Sequence, residues 1–175
     1  MPPVPPPADG ADHTAADDTA VIARQLGREP RGVVCVAHRC PCGEPDVVMT
    51  QPRLPDGTPF PTLYYLTCPR AASAIGTLES SGLMRDMEGR LAQQPELAEA
   101  YERAHEAYVA ERVTLEDVAE IDGISAGGMP SRVKCLHVLV AHSLAAGPGV
   151  NPLGDEALGL LAPWWTPGSC AADAT

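Results

Sequence analysis

Six cysteines, at positions 35, 40, 42, 68, 135 and 170, and five histidines are the residues of this chain best suited to chemistry. Thiolate and imidazole are the usual ligands of zinc. Cys40 and Cys42 lie in the turn Cys-Pro-Cys-Gly, Cys68 stands directly before Pro69, and Cys135, His137 and His142 share the segment RVKCLHVLVAH. One chemistry these residues offer is a zinc centre of Cys40, Cys42 and Cys68, completed by Cys135, His137 or His142, with Cys135 taken as the fourth ligand. The single residue between Cys40 and Cys42 departs from the two usual in zinc knuckles. A second chemistry is nucleophilic. A thiol at Cys68, on the first turn of a helix, feels the positive end of the dipole and favours thiolate. Cys68 would then be the nucleophile and His137 or His142 the base. A third reading is simple burial, since free cysteine packs as a small hydrophobe. It applies first to Cys35, inside the apolar run VVCVA, and to Cys170, in a C-terminal stretch. His38 and His105 read as hydrogen-bonded core groups.

These residues meet only if the elements around them bring them together. The β-branched run 33–39, the stretch 46–51 and the aromatic stretch 60–67 predict three strands. The turn at 40–45 and the reversal Pro55-Asp56-Gly57 join them as an antiparallel meander. In such a meander the first and third strands finish at the same edge. Strands lie about 4.8 Å apart, so Cys40, Cys42 and Cys68 fall within roughly 10 Å of one another. Helices are predicted at 18–26, 69–80, 83–91, 95–118, 130–146 and 155–161, several opened by proline and closed by glycine. The fold class is therefore α+β, a small three-stranded antiparallel sheet packed by five or six helices. Residues 1–17, rich in proline and aspartate, read as a disordered tail, 18–166 as the domain and 167–175 as a flexible C-terminus. Within the 130–146 helix, His142 lies about 20° from Cys135 around the axis but about 10.5 Å along it, too far for both to bind one metal comfortably.

The glycine loop before that helix offers an anion site. Gly127 and Gly128 lead into a helix entry with Ser131, Arg132 and Lys134 in its first turns, where free N–H groups and the dipole favour a small anionic, phosphorylated ligand. Met129 and Pro130 stand where a phosphate-binding P-loop carries its lysine and hydroxyl residue, so this is not that motif, and an ordinary helix entry reads equally well.

The formal net charge of −11 opposes a nucleic-acid or anionic-membrane partner. No apolar run approaches the roughly 18 residues of a membrane span, and no basic region with an apolar core opens the chain. A cytoplasmic location is expected, where thiols stay reduced. A protein-interaction module, with the acidic tail and Trp164-Trp165 as contact features and an unknown partner, is the third functional expectation.

The stretches RLPDGTPFPTLYYLTCPR (53–70) and GGMPSRVKCLHVLVAHSLAAGPGVNPLGD (127–155) resemble a bacterial, mainly actinobacterial family known as domain of unknown function 501. The resemblance covers about residues 20–166. It implies no activity, cofactor or catalytic residue. Family members lie near genes for enolase, a septal coiled-coil protein and an exopolyphosphatase, which implies an association with cell division or phosphate metabolism.

Overall fold

Strand β2 (Pro45–Thr50) is buried along its whole length, because it is the middle of the sheet and is covered on both faces. It pairs antiparallel with β1 (Val33–Arg39) on one side and with β3 (Tyr64–Leu66) on the other. The order β1-β2-β3 is the expected meander, seen in a computed structural model that describes residues 16–171. The expected tail lies almost wholly outside those residues.

The third strand is shorter than the predicted 60–67. Pro59 and Pro61 have no N–H to give to a ladder, and the Leu63 N–H is taken by the Tyr108 hydroxyl at 2.7 Å. Only three residues therefore pair as β3.

Among the described residues six α-helices surround the sheet: α1 (Ala16–Leu26), α2 (Pro69–Ser80), α3 (Leu83–Gln93), α4 (Pro95–Leu115), α5 (Leu136–Ala146) and α6 (Pro152–Leu160). Proline at the first turn opens α2, α4 and α6, where its missing N–H costs nothing. The Asn151 carboxamide oxygen caps α6 by accepting the Gly154 N–H at 2.9 Å. Gly154 itself lets α6 approach α5 closely, since a Cβ there would lie 2.2 Å from the Leu139 carbonyl oxygen.

Helix α5 begins at Leu136, six residues later than the expected Pro130. Tight turns use the intervening backbone instead. The Arg132 N–H bonds the Gly128 carbonyl and the Lys134 N–H the Gly127 carbonyl, each at 2.8 Å. Gly128 adopts φ +97°, and a Cβ there would meet the Arg132 carbonyl oxygen at 2.8 Å. The loop can be built only around glycine.

Helix α5 is the centre of the core. Leu136, Leu139, Val140 and Ala141 are fully buried and pack with Val47, Leu63, Tyr64, Ile75, Tyr101, Tyr108 and Leu153. A second, smaller cluster lies apart and contains Cys40, Cys68, Ala71, Trp164 and Cys170. Among the described residues, no helix is long and apolar enough to cross a membrane.

Candidate metal centre

The antiparallel meander delivers what its topology requires. Strand β1 ends at Arg39 and β3 at Leu66, so Cys40 and Cys68 follow the same edge of the sheet. The turn after β1 is closed by the Gly43 N–H on the Cys40 carbonyl at 2.8 Å and the Cys40 N–H on the Glu44 carbonyl at 2.9 Å. Gly43 has φ +94°, the left-handed conformation that lets this turn curl back. The sulfurs of Cys40, Cys42 and Cys170 all lie within 4.8 Å of one another. Cys170 Sγ is 3.6 Å from Cys40 Sγ and 3.4 Å from Cys42 Sγ. Cys68, fully buried, hydrogen-bonds Cys170 and packs in the same cluster.

Backbone N–H groups point at these sulfurs. That of Cys42 donates to the Cys40 thiol, and those of Glu44 and Cys170 donate to the Cys42 thiol. Burial opposes ionisation at Cys40, Cys42 and Cys170. It pushes the Cys40 thiol up to about 11 and the Cys170 thiol up further. At Cys42 burial is again the largest single influence, but the two N–H donors and the hydrogen bonds to the Cys40 and Cys170 thiols together outweigh it and lower the thiol. All six cysteines are free thiols.

Cys170 is the residue that sequence reasoning placed elsewhere. It was expected in a flexible C-terminal stretch, and it is fully buried. The preceding chain anchors it: Trp164 packs on the thiol cluster, the Arg70 guanidinium donates to the Gly168 carbonyl at 2.8 Å, and the Ser169 hydroxyl donates to Glu44 Oε1 at 2.7 Å. The Trp164-Trp165 pair just before Cys170 was the available signal, because two indoles near a chain end bury large apolar surface.

Cys135 does not join this cluster. It is the N-cap residue of α5, grouped instead with Glu79 of α2 and His137, their ligand atoms within 4.8 Å of one another. His137 Nδ1 is 3.0 Å from Glu79 Oε1, and Nε2 is 3.1 Å from the Ala72 carbonyl oxygen. The hydrogen bond to Cys135, with help from Glu79, raises His137 to about 9 against its partial burial. Glu79 carries no motif of its own. Its role arises only from helix packing.

The three residues proposed for thiol catalysis occupy three different surroundings. Cys68 is sealed in the thiol cluster and His137 is bound to Glu79. His142 is 1% exposed, stacked on Tyr64 and edge-on to Tyr108, with ring centroids 5.8 and 5.0 Å away. Its Nδ1 accepts from the Asn151 carboxamide at 3.2 Å. It is a structural core histidine. His38 and His105 are hydrogen-bonded as expected, to Asp46 and Ser125, each at 2.7 Å.

Burial pushes His142 down to about 4. An unfolded chain protonates this histidine near its ordinary 6.5. Between those values the unfolded state binds more protons, so the contribution is fully present above pH 6.5 and lost as pH falls toward 4. The difference corresponds to about 3 kcal/mol. Urea unfolding of the protein and of His142→Gln at pH 7 and pH 4 should show that the parent loses about that much more. Equal losses would show that the ring is not buried neutral.

The expected anion loop is already served by the protein's own carboxylates. Ser131, Arg132 and Lys134 precede α5 rather than lying in its first turns. The Val133 N–H donates to Glu88 Oε1 at 3.0 Å and the Leu136 N–H to Glu79 Oε1 at 2.8 Å. Gly127 and Gly128 supply carbonyl acceptors to the turns described above. The positive potential of the helix entry is thus used internally.

With the site in place, comparison with protein families decides the relationship. A family model described as Protein of unknown function (DUF501) matches residues 36–159. The chain belongs to the DUF501 family. The match takes in Cys40, Cys42, Cys68 and the whole Glu79–Cys135–His137 group, and it ends before Cys170. Comparison of this DUF501 chain with curated proteins and with solved structures gave no match.

Proposed function

We propose that this DUF501 protein binds one structural zinc ion through Cys40, Cys42, Cys68 and Cys170. The observation that carries the reading is that the sulfurs of Cys40, Cys42 and Cys170 lie within 4.8 Å of one another, with Cys68 hydrogen-bonded to Cys170 in the same packed cluster. Packing alone does not ask for three sulfurs in contact with a fourth thiol beside them. A tetrahedral zinc does, with Zn–S bonds of about 2.3 Å. The N–H donors around Cys40 and Cys42 are the kind of outer partners that stabilise metal-bound thiolates. Four protein ligands leave no open position, which makes the metal structural rather than catalytic. Its work is to clamp the segment carrying Trp164 and Cys170 onto the edge of the sheet. A reducing cytoplasm suits the reading, because thiols persist there.

The alternative of Cys68 as a nucleophile toward a phosphorylated substrate gains no support from a thiol with no exposed surface.

Protein purified without added metal and passed through a weak chelator should retain close to one zinc per chain by elemental analysis. Serine at any of the four positions should lower that content. Retention well below one equivalent, or a content indifferent to all four substitutions, would overturn the proposal.

A further inference from the structure

The group of Glu79, Cys135 and His137 uses none of the four clustered thiols, and its geometry carries an inference of its own. A carbonyl oxygen only accepts, so the contact of His137 Nε2 with the Ala72 carbonyl at 3.1 Å places a proton on Nε2. Nδ1 faces Glu79 Oε1 at 3.0 Å, an oxygen that also accepts the Leu136 N–H at 2.8 Å and so acts as a carboxylate. Without a metal, a proton on Nδ1 bridges the pair as a charge-assisted hydrogen bond. A divalent cation would take the place of that proton. The Cys135 sulfur completes the set within 4.8 Å of both.

A metal-binding histidine typically donates its other ring N–H to a backbone carbonyl, which fixes its tautomer and aims its lone pair. His137 has that arrangement. Glu79 and Ala72 are seven residues apart on α2, which places them on one face of the helix, with the His137 ring bonded to both. Tetrahedral zinc would separate the nitrogen and oxygen ligands by about 3.4 Å, so for this pair side-chain shifts of a few tenths of an ångström suffice. The His137 and Glu79 side chains remain 32% and 24% exposed, which leaves water access to a fourth position.

We infer that Glu79, Cys135 and His137 form a second site for a divalent transition metal of the zinc type. Its donors are one sulfur, one nitrogen and one oxygen, with one position facing solvent. Such a site differs in kind from the four-thiol cluster. Three protein ligands plus a solvent position is the pattern in which zinc binds and polarises a water or an incoming oxygen ligand.

Cobalt(II) titration of the full chain, purified with its tightly held metal, tests this. One further equivalent should bind, with a sulfur-to-cobalt charge-transfer band of single-thiolate intensity. Cys135→Ser should abolish that band, and Cys135→Ser, His137→Gln and Glu79→Gln should each weaken uptake at least about ten-fold. Cys170→Ser should leave this band in place, so failure of the four-thiol site and failure of this one are separable. Nitrogen-15 spectra of the His137 ring give a readout independent of the variants, because zinc should displace any proton from Nδ1 while Nε2 keeps its own. The inference is overturned if no further metal binds at about 100 μM, a dissociation constant too weak for a built site. It is equally overturned if all three variants bind as well as the parent, or if Nδ1 stays protonated in the presence of zinc.

Discussion

Replacing Cys170 by serine is expected to destabilise the zinc-loaded protein by about 3 to 4 kcal/mol, and to do so only while metal is present. Structural zinc sites contribute an apparent 10 to 16 kcal/mol at neutral pH, so losing one of four thiolates removes roughly a quarter of that. Serine nearly matches cysteine in size. Without metal the substitution exchanges weak thiol hydrogen bonds, at 3.4 and 3.6 Å, for hydroxyl contacts and should cost about 1 kcal/mol or less. Thermal unfolding of both proteins, with zinc and with a strong chelator, separates the two effects. In a domain of this size the zinc-dependent part should shift the midpoint by roughly 10 °C. The two tryptophans of the chain, Trp164 and Trp165, both pack at the thiol cluster, so their emission reports directly on its opening. A loss of the same size in chelator as in zinc would mean that the four sulfurs are ordinary packing.

Arg112→Met should be nearly as damaging, by about 4 kcal/mol and without any dependence on metal. Arg112 is 2% exposed and lies in the last turn of α4. Among the described residues no carboxylate forms an ion pair with its guanidinium, although the Asp122 charge acts on it. The guanidinium donates instead to three backbone carbonyls, of Pro61 at 3.0 Å, of Ile121 at 2.7 Å and of Ile124. Those carbonyls belong to the approach to β3 and to the chain after α4, so one side chain ties two irregular segments to a helix. Methionine would fill much of the space but take the guanidinium donor from three carbonyls. Ile121 would keep only the Ile124 N–H, and Pro61 and Ile124 would lose that partner, at about 1 to 3 kcal/mol for each left unpaired that water cannot reach. Part of that is offset by no longer burying a charge. Lysine should recover less than half of the loss, because one ammonium cannot fork toward three separated oxygens as a planar guanidinium does. Urea unfolding measures both variants. A methionine protein within about 1 kcal/mol of the parent would show that solvent reaches these carbonyls.

Much of this architecture is legible along the chain. Strand β1 is found where its β-branched run places it, and α2 spans Pro69–Ser80 as its opening proline and following glycine indicate. Both follow from local rules, residue by residue. The errors occur where a local preference met a distant group. Strand β3 is cut short because a tyrosine hydroxyl from α4 takes the Leu63 N–H. Helix α5 starts late because turns around Gly127 and Gly128 consume the backbone ahead of it, and because Glu79 waits at Leu136.

The candidate sites divide in the same way. Side-chain type and strand order alone determined that Cys40, Cys42 and Cys68 belong at one edge of the sheet, since a meander returns alternate strand ends to the same side. Which further cysteine lies with them was decided only by the tertiary structure. Cys135 sits in a helical segment full of chemistry, yet the entry of α5 turns it toward Glu79. Cys170 sits among small and polar residues, yet two indoles draw its segment onto the thiols. The physical reason is range. Turns, caps and alternation act over a few residues, whereas a ligand set is assembled by packing free energy between segments up to 130 positions apart, as between Cys40 and Cys170, and no local pattern records where that energy is gained.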